Sequence, residues 1–330
     1  MTERMLEVHA LARHFSVRGG ILPRRRPVLR AVDGVSFEVG RGQTFGLVGE
    51  SGCGKSTLGR SILRLLEPTR GRVVLDGAEI TGLDSAALKR QRKDMQMIFQ
   101  DPFASLSPRR TVRQMLQEPL ALHVPGSPAR RVARVRELLD IVGLGQSALD
   151  RYPHEFSGGQ RQRIGIARAL AVEPKLVVAD EPVSALDVSV QSQVLNLLAD
   201  LQTEFGLSFV FISHDLAVVQ HISHFIGVMY LGKLVETAPV DRIYAMPAHP
   251  YTRALLDAVP VAGGTRRIRR RALDGEPPSP LNPPGGCPFH TRCPEAMPIC
   301  SRRVPRTIEL EEHGRSHQVR CHLHDPDISQ

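Results

Sequence analysis

The chain has 330 residues, 42% hydrophobic and 23% charged, with 43 Lys and Arg against 34 Asp and Glu and a net charge of +9. That composition excludes an intrinsically disordered tail and suffices for one large domain or two modest ones. The basic surplus suits phosphate ligands, nucleic acid or an anionic membrane face, without choosing among them.

The N-terminus, MTERMLEVHALARHF, lacks the basic-then-apolar order of a secretory signal. No uninterrupted apolar window reaches the roughly 18 residues that a membrane-spanning helix needs, so a cytoplasmic location is expected. LEVHALARHFSV and VDGVSFEVG alternate apolar and polar residues as half-buried antiparallel strands do. ILPRRRPVLR between them reads as a loop in which Arg24, Arg25 and Arg26 are either solvated or meet membrane phosphates or an acidic partner. QTFGLVGE is a near-continuous apolar run, as in a buried parallel strand. GKSTLGRSILRLLEP follows with helical periodicity and is expected to stop at Pro68. GRVVLDG and MQMIFQ read as further strands.

From DPFASLSP to about Glu155 the pattern is helical, with apolar residues at intervals of three and four in VRQMLQEPLALH and ARRVARVRELLDIVGL. KLVVADEP, LSFVFISHD and HFIGVMY are then three strand-like runs with helices between them, the signature of a parallel α/β sheet. After HPYTRALLDAVP the composition changes. RRIRRR is a charge run, and EPPSPLNPPGGCP carries six prolines between Pro277 and Pro288, which no regular element survives. A first domain over residues 1–260, a basic and Pro-rich linker over 261–285 and a small Cys-rich module over 286–330 are therefore expected.

GESGCGKST, residues 49–57, fits G-x-x-x-x-G-K-S/T, with a strand leading in and a helix leading out. In such a loop Gly49, Ser51, Gly52, Cys53, Gly54, Lys55, Ser56 and Thr57 wrap a phosphate chain. The glycines let backbone N–H groups face the phosphates and the helix N-terminus adds a favourable dipole. Lys55 supplies positive charge to the β- and γ-phosphates, and Ser56 offers a hydroxyl to Mg²⁺. Cys53 reads as a small filler. KLVVADEP ends in two carboxylates, Asp180 placed to hold Mg²⁺ and Glu181 to polarise an attacking water.

FSGGQRQRIGIARAL, residues 156–170, resembles the signature motif of ABC-type ATPases. The resemblance implies that Ser157, Gly158, Gly159 and Gln160, at a helix N-terminus, grip the γ-phosphate of ATP held by a facing ATPase domain. Gln100 is similar to the family's Q-loop glutamine, which touches Mg²⁺ and the membrane partner. SALD, ending in Asp187, is similar to its D-loop, and His214 in FISHD to its switch histidine near the γ-phosphate. Phe15 stands where the family places an aromatic on adenine, although a strand Phe also serves as core. The implied fold is α/β, a P-loop NTPase with a mixed-sheet core, an antiparallel β subdomain and a helical subdomain over about 101–157. QDPFASLSPR resembles the Q-D/N-P-x-x-S-L-N/S-P of peptide-importer ATPase subunits, as do DEPVSALDVSVQSQVLNLL and the HPYTRALLDAVP ending. The RRR insert and QMLQEPL are similar to the second of the two ATPase subunits that these importers carry.

What this implies is an ATPase that powers di- or oligopeptide import from the cytoplasmic face of the bacterial inner membrane. Its implied partners are a paralogous ATPase subunit, two permeases and an extracytoplasmic peptide-binding protein. A nickel or other small-solute importer is the alternative within the family. A soluble ABC ATPase acting on nucleic acid or ribosomes is disfavoured, because the chain has neither a second ATPase domain nor a long coiled-coil insertion. Cys287, Cys293, Cys300 and Cys321, four of five cysteines, are spaced C-x5-C-x6-C-x20-C. Four thiolates can hold Zn²⁺ or an iron–sulfur cluster. The family resemblance implies a 4Fe-4S cluster, with Zn²⁺ as the alternative and His290, His317 and His322 as nearby spare ligands. A segment this poor in apolar residues is helped to fold by a metal.

Overall fold

The computed structural model describes residues 3–16, 27–101, 105–258, 275–310 and 316–328. Arg24–Arg26, the RRIRRR run and part of QDPFASLSP lie outside the described residues. The chain divides into two compact units, Met1–Glu7 with Glu38–Thr44 and Val74–Ile212, and Val8–Phe37 with Phe45–Val73 and Ser213–Gln330.

Four strands, β1 (Arg4–Ser16), β2 (Val28–Gly40), β4 (Arg70–Leu75) and β5 (Ala78–Glu79), form a sheet in the order β2-β1-β4-β5. Their alternating pattern puts Leu6, Val8, Val32, Val35, Val73 and Leu75 in the core. In the first unit β6 (Met95–Ile98), β7 (Leu176–Asp180) and β8 (Ser208–Ile212) run parallel, with Met95 opposite Leu176 and Asp180 opposite Ile212. The unbroken apolar strands expected from sequence are thus buried strands with helices between them. The helices are α2 (Ser85–Gln91), α3 (Val112–His123), α4 (Pro128–Ile141), α5 (Gly158–Leu170) and α6 (Val188–Phe205).

Start signals in the sequence set these helices. Thr111 caps α3 by accepting the Gln114 N–H while the Gln114 side chain accepts the Thr111 N–H, a capping box. Ser127 caps α4 with Pro128 in its first turn.

In the second unit β3 (Thr44–Val48) runs parallel to β9 (Phe225–Tyr230), with Phe45 opposite Phe225 and Val48 opposite Val228. β10 (Lys233–Pro239) returns antiparallel to β9. Both pairing senses occur, as the mixed-sheet expectation requires. The helices here are α1 (Lys55–Ile62), α7 (Leu216–Ile222), α8 (Val240–Ala245) and α9 (Pro250–Asp257). α1 stops well before Pro68, because Arg64 turns to a left-handed φ of 50° that a helix cannot continue through.

The expected separate Cys-rich module finds no support in the arrangement of the described residues. β12 (Gln318–Val319) pairs with β10, Glu236 opposite Val319, and β11 (Ile308–Glu309) pairs with β12. Ala248, Val319 and Cys321 share a core cluster with Ile308, Leu310 and Leu323. The cysteine segment therefore belongs to the same compact unit as β3 and α1, because two short strands with a few apolar residues complete an existing sheet edge more readily than they form a core of their own.

Candidate functional site

The phosphate-binding loop leaves β3 at Gly49 and enters α1 at Lys55, with Gly54 as the helix N-cap at φ 109°. A Cβ on Gly54 would lie 2.0 Å from the Ala31 carbonyl oxygen, and one on Gly49 2.1 Å from that of Met229. Main chain meets main chain at both points, so only glycine fits. Lys55 is 4% exposed. Its Nζ donates to the carbonyls of Gly49 at 2.7 Å and Glu50 at 3.1 Å, which holds the ammonium inside the loop. Ser51 and Gly52 are exposed at the tip, and Ser56 and Thr57 are half-buried in the first turn of α1. Cys53 is buried, its thiol pushed up by burial, and it fills space as expected. In the same unit His214 is exposed in the turn between β8 and α7. Phe15 is half-buried at the end of β1 with the Arg13 guanidinium 4.5 Å from its ring centroid.

In the other unit Asp180 is fully buried at the end of β7. Glu181 follows with a left-handed φ of 46°, rare for a side chain with a Cβ, and its N–H donates to the Ile212 carbonyl at 3.0 Å. The strain turns the carboxylate out of the strand. Gln100, just past β6, donates Nε2 to Glu181 Oε2 at 3.0 Å, so two residues 81 positions apart in sequence are brought together.

Ser157 caps α5 by accepting the Gln160 N–H, and the Gln160 side chain accepts the Ser157 N–H. That reciprocal pair fixes the turn while Gly158 and Gly159 start the helix. A Cβ on Gly159 would meet Val190 Cγ1 at 2.4 Å, and one on Gly158 would meet Leu186 Cδ2 at 3.5 Å. The glycine turn is thus packed on Leu186 of SALD and on the first turn of α6, whose N-cap position is Asp187.

Sequence reasoning missed the supports of the phosphate-binding loop. The Glu50 N–H donates to Tyr251 Oη at 2.9 Å, and Arg292 donates to both Glu50 oxygens, at 2.8 and 3.0 Å. Tyr230, Tyr251 and Phe289 pack with ring centroids 4.7 to 5.4 Å apart beneath this contact. No spacing rule joins residues this far apart in sequence. The one local hint is a carboxylate, Glu50, within a glycine-rich loop that is read as binding phosphates. A second support is Glu236, 1% exposed. It accepts the N–H groups of Ala248 and His249 at 2.7 and 2.9 Å and lies 2.8 Å from His317 Nε2. Burial pushes this carboxyl up, but hydrogen bonds from His317 and the two N–H groups outweigh it and hold it below the usual value.

All four C-terminal cysteines are free thiols. Cys287, Cys300 and Cys321 are buried and Cys293 half-buried. Cys287 N–H donates to the Cys300 carbonyl at 2.7 Å. Burial pushes the Cys321 thiol up to about 12, and charge on Cys287, Cys293 and Cys300 adds to the rise. Burial likewise pushes Cys287 up to about 11. Among the described residues no three His, Cys, Asp or Glu side chains gather as a site for one metal ion, so the expected metal centre finds no support in this arrangement. The spare histidines are engaged elsewhere: His290 Nδ1 with the Cys287 carbonyl, His317 with Glu236 and His322 Nε2 with the Arg303 carbonyl. Among the described residues no helix is long and apolar enough to cross a membrane.

A family profile described as ABC transporter matches residues 32–184, and one described as Oligopeptide/dipeptide transporter, C-terminal region, matches residues 235–300. The oligopeptide transport ATP-binding protein AppF of Bacillus subtilis (strain 168) is 53% identical over 98% of this chain and 98% of its own length. The probable peptide ABC transporter ATP-binding protein y4tS of Sinorhizobium fredii is 50% identical over 99% of this chain and 92% of its own. Among solved structures, the ATP-binding cassette MJ0796, dimeric in a post-hydrolysis state bound to ADP and Pi, superposes with a TM-score of 0.64 at 29% identity, over 72% of this chain and 99% of that one.

Proposed function

We propose that this chain, which belongs to the ATP-binding subunits of oligopeptide and dipeptide ABC transporters, divides ATP-driven peptide import among the residues described above. The chain is an ATPase whose hydrolysis is coupled to transport. The loop 49–57 binds the phosphates through its N–H groups and Lys55. Ser56, Asp180 and the Gln100 carboxamide oxygen are the hard oxygen donors that Mg²⁺ prefers. Gln100 spends its Nε2 on Glu181, which leaves its oxygen for such a role. Mg²⁺, when bound, would neutralise charge on the phosphates. Glu181 accepts a proton from the attacking water, His214 polarises the γ-phosphate, and the Ser157–Gln160 turn of a facing subunit closes over it. Phe15 stacks on adenine, and Asp187 lines the opposing site.

The observation that carries this reading is Glu181: a strained backbone at a strand end, with its carboxylate held by Gln100. In the assembled importer Glu181→Gln is expected to bind ATP normally while turnover falls about a hundredfold or more. Wild-type turnover in that variant would remove Glu181 as the base.

The facing subunit is taken to be a paralogous ATPase rather than a second copy, and two permeases dock on the helical subdomain from the cytoplasmic face of the inner membrane. An extracytoplasmic binding protein delivers peptide. Copurification with and without the paralogue tests the pairing. Cys287, Cys293, Cys300 and Cys321 are further read as ligands of a 4Fe-4S cluster. What supports this is the family resemblance of the Cys-bearing tail, together with the burial of Cys287, Cys300 and Cys321 in one compact unit. Zn²⁺ is the less favoured occupant, since one ion needs ligands that converge. Iron and sulfide analysis with visible absorbance decides it, and colourless, iron-free protein overturns it.

A further inference from the structure

We propose that Arg292 is a positioning residue of the nucleotide site. Through a forked ion pair it neutralises and orients Glu50, the one carboxylate in the phosphate-binding loop. The inference rests on the ATP-binding reading above and deepens it.

Glu50 is the hub of the loop. Its N–H is held by Tyr251 Oη at 2.9 Å, and its carbonyl accepts from Lys55 Nζ at 3.1 Å and from the Cys53 N–H at 3.3 Å. A shift of this residue therefore moves the ammonium that meets the phosphates. Its carboxylate is also one residue from the N–H groups that would receive an anion, and an uncompensated negative charge there repels a triphosphate.

Arg292 removes that conflict. Its side chain is 5% exposed against 25% for Glu50, and both carboxylate oxygens are engaged, at 2.8 and 3.0 Å. A third contact runs to Tyr230 Oη at 3.4 Å. Only a guanidinium offers this planar fork. Arg292 is itself held in place, because its N–H donates to the Phe289 carbonyl at 3.0 Å and the Phe289 ring, 1% exposed, is locked edge-on against Tyr230. The arginine arrives from the turn between Cys287 and Cys293, so the end of the chain supplies a support that the loop itself cannot.

The test is ATP binding by the full chain, titrated with a fluorescent trinitrophenyl-ATP, with circular dichroism and melting curves on every variant. Arg292→Ala is expected to weaken binding about tenfold, and Arg292→Lys by less, since an ammonium keeps the charge but not the fork. The deciding measurement is Glu50→Gln with Arg292→Ala. With the carboxylate gone there is nothing left to neutralise, so this double variant is expected within about twofold of Glu50→Gln alone. Wild-type affinity in Arg292→Ala overturns the proposal, as does an undiminished tenfold loss in the Glu50→Gln background, which would mark mere packing. Should Arg292→Ala not fold, Arg292→Lys takes its place, and unchanged affinity there overturns the proposal. Wild-type chain that binds no trinitrophenyl-ATP sinks the ATP-binding reading instead, so the two failures are distinguishable.

Discussion

The phosphate-binding loop and the cysteine-bearing end of the chain lie in one compact unit and are built by opposite means. Between Gly49 and Lys55 the main chain does the work, and glycines at two close approaches leave no room for a Cβ. Among the described residues from Gly285 to His324, two two-residue strands extend the edge of β10, and side chains supply the other ties: Glu236 with His317, His324 Nε2 with the Ala248 carbonyl, Arg292 with Glu50. A main-chain device is written locally and tolerates no substitution at its glycines. A side-chain device is spread along the sequence and can be taken apart one contact at a time.

The strongest break in this contrast is Gly54→Val. Its Cβ would collide with the Ala31 carbonyl at a φ of 109°, so ATP binding by titration is expected to vanish. Second is Glu236→Ala, which strips the buried partner from His317 and from two N–H groups. It is expected to cost about 4 kcal/mol of unfolding free energy by urea denaturation. Stability unchanged within error would show that the segment is held by something else.

Third is a pH effect. His249 caps α9 by accepting the Tyr251 N–H on Nδ1 at 3.0 Å, which only the neutral ring can do. Burial pushes this histidine down from 6.5 to about 4. Between those values the unfolded chain binds the extra proton, so stability falls as pH drops below 6.5 and the loss is complete near 4. The expected loss is about 3 kcal/mol, measured by urea denaturation across that range. His249→Asn, whose carboxamide oxygen caps at any pH, is expected to flatten that part of the profile. The smallest effect is Arg306→Ala, where a solvent-exposed fork to Asp325 and Asp327 is lost. Its melting temperature is expected to match wild type, because exposed pairs contribute little.

The same contrast explains what the sequence reveals. The loop 49–57, the carboxylates at the end of KLVVADEP and the Ser157–Gln160 turn were legible because each is a short run whose geometry depends on its neighbours in the chain. The parallel strands β6 to β8 were legible from unbroken apolar character. β10 was not, since KLVETAP carries a Glu that reads as solvent-facing and is buried by partners far along the chain. Tyr251 and Arg292 escaped for the same reason, as an ion pair across 242 positions leaves no periodicity. The C-terminal segment read as independent because its apolar residues are too few for a core of its own; they are spent on the edge of β10.

That edge also sets an order of events during synthesis. His317, the partner of Glu236, lies 81 positions after it in the chain, and β12 follows His317 directly. A growing chain therefore exposes this strand border until Val319 has been made. Premature termination before Gln318 is expected to yield sticky, insoluble protein rather than a soluble, weakened pump component.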